Sequence, residues 1–190
     1  LVGIPPLLGY SSFSNFSFDF LKSIPVYLFP MILTFYYGNE ITGIYYRIER
    51  ITLIINTLIV SLANIYLSEL KNNRKNNTVI LLIIILFIDF CITLFFLLFG
   101  GIILSLFSIN HSNAYWLQLL IVISKIPFSI YTLLEFFLRY KRKNKYLFFL
   151  SLIFMLSTLI SFIVLTFLIK TILVIGISWI LGYSLVAFLS

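Results

Sequence analysis

Apolar residues run along this chain in long stretches, interrupted by glycine, asparagine or short clusters of charge. A membrane-crossing helix takes roughly 20 mainly apolar residues. Cutting at the polar punctuation predicts six helices: segment A over residues 10–37, B over 41–70, C over 78–107, D over 115–140, E over 146–169 and F over 171–190. A ends at Gly38-Asn39-Glu40, a turn-like tripeptide, and C ends in the polar link from Ser108 to Asn113. No soluble domain, heptad repeat or low-complexity linker interrupts the series. The expected fold is an all-α membrane protein, one bundle of about six transmembrane helices.

Links this short force neighbouring helices to run antiparallel, so the B–C and D–E links share one face. That face collects Lys71, Arg74, Lys75, Arg139, Lys141, Arg142, Lys143 and Lys145, whereas the opposite links offer only Lys170 beside Glu40 and His111. The positive-inside rule then puts both chain ends in the cytoplasm, in a multi-pass protein of the plasma membrane.

Composition strengthens the lipid reading. With 62% hydrophobic residues, a mean hydropathy of +1.13 and 10% charged residues, the chain carries more apolar surface than one core of 190 residues can hide. The net charge of +7 resides mostly in the two basic links, which argues against nucleic acid as a partner. The lone Cys91 lies in an apolar run and reads as a small buried hydrophobe, so neither a disulfide framework nor a thiolate metal cluster is expected. Neither a metal nor another cofactor is expected. His111 reads as a solvated link residue. No signal peptide is legible at the N-terminus, and the opening at Leu1 instead of Met points to a fragment or trimmed chain.

Ionised groups at membrane depth cost at least ~2.5 to 3.5 kcal/mol each and usually face a protein interior or a wet cavity. In B, Arg47, Arg50, Thr57, Ser61, Asn64 and Ser68 recur at helical spacing on one stripe, which fits a water-filled cavity. Snorkelling of Arg47, Glu49 and Arg50 to the surface is the plainer alternative. In A, Ser12, Asn15, Asp19 and Lys22 form a shorter stripe, with Asp19 and Lys22 spaced to pair, followed by Pro25 and Pro30. D repeats the pattern with Gln118, Lys125, Ser129 and Thr132 around Pro127. Lys125 lies ~21 Å from the basic end of D and Asp89 ~16 Å from that of C. Asp89 and Lys125 are therefore expected to form a buried pair, serving packing, gating or ion coupling, as Asp19 and Lys22 would. Gly100 with Gly101, and Gly176 with Gly182, permit close helix approach or a hinge.

The order of these features resembles a family. Residues 10–73 hold Tyr10-Ser11-Ser12-Phe13, then Gly38-Asn39-Glu40-Ile41-Thr42-Gly43-Ile44-Tyr45, Arg50-Ile51 and Tyr66-Leu67-Ser68-Glu69-Leu70. This is similar to the second half of Wzx-type polysaccharide flippases, of the multidrug/oligosaccharidyl-lipid/polysaccharide exporter superfamily. Segments C to F match in order and length, including Phe99-Gly100 to Phe107 and the Gly176 to Gly182 spacing. The resemblance implies half of a two-bundle flippase that moves a lipid-linked oligosaccharide on a polyprenyl pyrophosphate carrier by alternating access. It implies Arg50, then Arg47, as cavity cations for the pyrophosphate, with Asn64, Thr57 and Ser61 lining the same cavity. A missing N-terminal bundle or partner chain would supply the other wall, and membrane lipids the surroundings.

Two other classes compete. A membrane-embedded polysaccharide polymerase or glycosyltransferase needs a sizeable loop carrying catalytic residues, and no link here is long enough, so no catalytic residue is assigned and no enzyme is expected. A non-transport assembly subunit would not need aligned polar stripes on A, B and D.

Overall fold

The computed structural model describes residues 7–71, 76–109 and 111–189, with side chains at 17–65, 80, 82–109 and 111–189. Ser12, Asn15 and Ser68 of the expected stripes, and the basic side chains of the 71–75 link, lie outside the described side chains. Among the described residues helices are the only regular secondary structure: α1 (Leu7–Lys71), α2 (Asn76–Leu106), α3 (Ala114–Ile123), α4 (Lys125–Tyr140), α5 (Asn144–Ile169) and α6 (Val174–Phe188). Four described helices are long and apolar enough to cross a membrane, which makes this a membrane-spanning protein.

Segments A and B are continuous with each other as α1 except at one residue. Gly38 has φ 84 and ψ 173 and is the one non-helical position within α1. That combination is essentially restricted to glycine, because a Cβ would collide with its own backbone. The expected turn over Gly38-Asn39-Glu40 thus narrows to Gly38, and Asn39 and Glu40 already belong to the second limb. Thr42 donates its hydroxyl to the Gly38 carbonyl at 3.0 Å and lies 3.1 Å from the Thr34 hydroxyl, tying the limbs across the break. The chain also reverses there. Lys22 of the first limb bonds Glu135, while Ala63 of the second packs with Leu133 and Ile85. In a straight helix residues 22 and 63 would stand roughly 60 Å apart, yet both meet the same two turns of α4. Pro25 and Pro30 keep helical backbone angles, so neither produces the break.

Segment D divides into α3 and α4 at Ser124. Pro127 has no N–H for the carbonyl of Ile123 and its ring crowds that carbonyl, which interrupts the ladder at this place. The divided span is nevertheless the most enclosed: 61% of the apolar window in Ala114–Tyr140 is buried, against 17% in Leu82–Leu106. The central position of α3 and α4 explains why D holds the buried polar residues Gln118, Lys125, Ser129, Thr132 and Glu135.

The core around α4, α5 and α6 is aromatic. Phe154 stacks on Tyr183 with ring centres 4.7 Å apart, Trp179 lies 5.6 Å from Tyr183, and Phe29 of α1 reaches Phe162 at 4.3 Å. Offset ring pairs of this kind add ~0.5–1.5 kcal/mol each beyond the area they bury. α6 enters this core closely because it presents glycine. A Cβ at Gly176 would stand 2.5 Å from Leu120 Cβ, and one at Gly182 would stand 2.0 Å from Thr158 Oγ1. Outward faces carry Phe35, Leu106, Phe167, Leu168 and Phe188, all more than 60% exposed and suited to acyl chains.

Candidate functional site

Three groups of polar side chains stand out from the apolar background, on separate parts of the molecule. The first lies where the second limb of α1 packs along α2. Arg47 and Arg50, both exposed, enter a groove of about 820 Å³ whose walls are otherwise apolar, including Ile54, Leu58, Phe95 and Phe96. Arg47 and Arg50 precede Ile54 and Leu58 along the limb, so the two cations stand at the Gly38 end of the groove. Arginine presents a planar fork of donors suited to phosphate or carboxylate oxygens and stays charged at all relevant pH. The groove therefore combines an anion-binding end with an alkyl-binding length. Cys91 also lines it and is exposed, correcting the expectation of a buried cysteine.

Thr57, Ser61 and Asn64 of the expected stripe do not join the arginines in that groove. Thr57, Ser61 and Asn64 are exposed on the outside of α1. Thr57 donates to the Leu53 carbonyl at 3.2 Å and Ser61 to the Thr57 carbonyl at 2.8 Å. Hydroxyls bonded back to their own helix need no water, which is why these two can sit on an apolar surface without a cavity.

The second group ties α1 to the end of α4. Lys22 Nζ lies 2.7 Å from Glu135 Oε2, and Arg139 donates to Glu135 Oε1 from Nε at 3.1 Å and from Nη2 at 2.9 Å. Arg139 Nη2 also lies 2.7 Å from Asp19 Oδ1. Asp19 and Lys22 are thus each paired with α4 and not with one another, as their spacing had led us to expect. Helical neighbours three apart gain only ~0.2–0.5 kcal/mol from pairing, and a buried carboxylate on α4 offers the lysine more. Phe18 completes the arrangement, its ring centre 4.7 Å from the Arg139 guanidinium. Glu135 and Arg139 carry this lock, and sequence reasoning used Arg139 only as a topology marker and passed over Glu135. The signal was available: Glu135 is the one acid in segment D and stands four residues before Arg139.

The third group is interior. Asp89 of α2 is 2% exposed, and its Oδ2 lies 2.5 Å from Ser129 Oγ, which also lies 2.9 Å from the Lys125 carbonyl oxygen. Asp89 Oδ1 finds no hydrogen-bond partner among the described residues, and neither does the side-chain amide of buried Gln118. Lys125 is buried and forms no ion pair among the described residues, its Nζ lying 5.7 Å from the centre of the Phe128 ring. The expected Asp89–Lys125 ion pair is therefore replaced by Asp89–Ser129, one helical turn away. Depth matched, but the faces turned toward each other did not.

Neither a family model, nor a curated protein, nor a solved structure matches this chain. Chemistry must then be read from the groups themselves. Among the described residues no cluster of three or more metal-ligating side chains occurs. The three polar groups also do not converge on a common recess. Asp19 and Lys22 of α1 are engaged by α4, the α3 and α4 residues are enclosed, and Arg47 and Arg50 face outward.

Proposed function

We propose that the chain is the C-terminal half of a flippase that carries a lipid-linked oligosaccharide across the plasma membrane as part of polysaccharide export. In this reading the chain crosses the bilayer six times, α1 contributing two crossings about Gly38 and α3 with α4 one, with both ends on the cytoplasmic side next to the basic links. Arg50 and Arg47 hold the anionic phosphate of the carrier, and the apolar length of the groove holds part of its polyprenyl chain.

The observation that carries this reading is the groove between α1 and α2, which joins two outward-facing arginines to a long apolar trough. A lipid-facing wall gains nothing from two guanidiniums, whereas the inner wall of a two-bundle transporter would need them there. A second bundle, joined to this one or supplied by another chain, closes the groove from the outside and completes the cavity. Thr57, Ser61 and Asn64, exposed on the same limb, then face that second bundle. No covalent step is involved.

The test is export of polysaccharide by the intact protein with Arg50 replaced by Ala, at unchanged membrane level. Export should fall at least tenfold, since a charge-assisted phosphate contact is worth ~1.5–3 kcal/mol. Wild-type export in both Arg50→Ala and the Arg47→Ala/Arg50→Ala double variant would remove the groove from the mechanism.

A further inference from the structure

The hydrogens available around Asp89 are fixed by its own neighbours, whatever the groove carries. Ser129 Oγ has one hydrogen and two oxygen neighbours, the Lys125 carbonyl at 2.9 Å and Asp89 Oδ2 at 2.5 Å. If Asp89 is ionised, both neighbours are pure acceptors and one hydrogen must serve two bonds. Buried hydroxyls elsewhere in this fold donate to a carbonyl of their own helix three or four residues back, as Ser124 does to Ile121, Ser151 to Phe148, Thr158 to Phe154 and Ser178 to Val174. With Ser129 doing the same, the hydrogen in its contact with Asp89 has to come from Asp89.

The surroundings agree. A carboxylate with one bare buried oxygen bears the full desolvation cost of a charged acceptor, and Asp89 Oδ1 is such an oxygen. The carbonyl oxygen of a neutral acid bears far less. No cation compensates the site: the ion pairs among the described residues are Lys22–Glu135, Arg139–Glu135 and Arg139–Asp19. On the helices packed against α2, the titratable groups turned toward it are Tyr46, Arg47 and Arg50 of α1, at the groove, and Tyr115 of α3, which donates to the Leu97 carbonyl. Lys125, one turn before Ser129 on α4, forms no ion pair with Asp89 among the described residues.

We propose that Asp89 is a single-proton site in the membrane interior: its carboxyl group holds a proton on Oδ2, donates it to Ser129 Oγ, and Ser129 donates its own hydrogen to the Lys125 carbonyl. The ligand is the proton itself. Its removal leaves a charge on α2 and makes the one Ser129 hydrogen serve both Asp89 and the Lys125 carbonyl, so proton occupancy controls how α2 seats against α4. Cys91, two residues on, lies on the opposite face of α2 and lines the groove, so the helix that carries the proton also forms the groove wall.

Infrared spectroscopy of the full chain in lipid nanodiscs at neutral pH tests this without any transport assay. Wild type should show the carbonyl band of a protonated carboxyl group that Asp89→Asn removes, and that Ser129→Ala moves to higher wavenumber through loss of the acceptor. A spectrum in which Asp89→Asn removes no such band overturns the proposal. So does a band that Ser129→Ala leaves in place and unshifted. An Asp89→Asn chain that does not fold also overturns it, because the amide supplies the same donor to Ser129 and the same neutral carbonyl. Export lost in Arg50→Ala with the Asp89 band intact, or the reverse, keeps this proposal separate from the flippase reading.

Discussion

Glu135 is the side chain whose loss should be felt most clearly, and its cost can be worked from the contacts. Its side chain is 7% exposed and accepts from Lys22, with a relative exposure of 26%, and from Arg139, with 29%. Breaking a fully buried pair costs about 3–5 kcal/mol, while fully exposed pairs are worth about 0–1 kcal/mol. Here one partner is buried and two are a quarter exposed, so Glu135→Gln should cost about 2–3 kcal/mol. Glutamine keeps the shape and one acceptor, so the loss reports the charge. Lys22→Met alone should cost less, about 1 kcal/mol, because Arg139 still neutralises the acid. The double variant Lys22→Met/Glu135→Gln should be more stable than the sum of the singles requires, with a coupling of about 1 kcal/mol. Unfolding in mixed detergent micelles, followed by the fluorescence of Trp179, which is 7% exposed within the aromatic stack, measures this cycle. Additive single effects, within about 0.3 kcal/mol, would refute the claim that Glu135 binds the first limb of α1 to α4 through its charge.

Gly38→Ala should destabilise by about 1–3 kcal/mol purely through backbone strain, since a Cβ there meets nothing within 4 Å; thermal unfolding in micelles checks this, and a neutral result would mean that the limbs are not held at the observed angle. Gly182→Ala should cost about 1–3 kcal/mol by overpacking, because its Cβ would stand 2.0 Å from Thr158 Oγ1, and adding Thr158→Ala should recover part of that loss in the same assay. Cys91, the single cysteine, should react with a membrane-permeant maleimide, and a long-chain alkyl phosphate should slow the labelling at least threefold in wild type but not in Arg47→Gln/Arg50→Gln. Equal protection in both proteins would mean that the arginines do not bind the phosphate.

What the sequence disclosed and what it withheld divide along a physical line. Lipid demands that a spanning segment be apolar throughout and satisfy its backbone internally, so helical class and the places where helices stop are written one residue at a time and could be read locally. Gly38 and Pro127 belong to this category, since a backbone effect acts on its own neighbours. Partner choice does not. Whether Asp89 meets Lys125 or Ser129 depends on the rotation of α2 and α4 about their axes, and a rise of ~1.5 Å per residue fixes depth but leaves azimuth free. The depth argument came within one turn of the observed contact and still named the wrong side chain. Rotation is set by distributed packing, here by the ring stack of Phe154, Trp179 and Tyr183 and by the close approach of α6 at Gly176 and Gly182, none of which lies near Asp89 in sequence. The same reasoning explains Arg47 and Arg50. Their spacing placed them on one stripe, but whether that stripe faced inward or outward was decided by Ile48, Thr52, Ile55 and Ile59 on the other side of the limb, all buried in the interior. An apolar face that packs inside leaves the arginines outside. On the proposed reading, that outward pair of guanidiniums is the surface a second bundle covers.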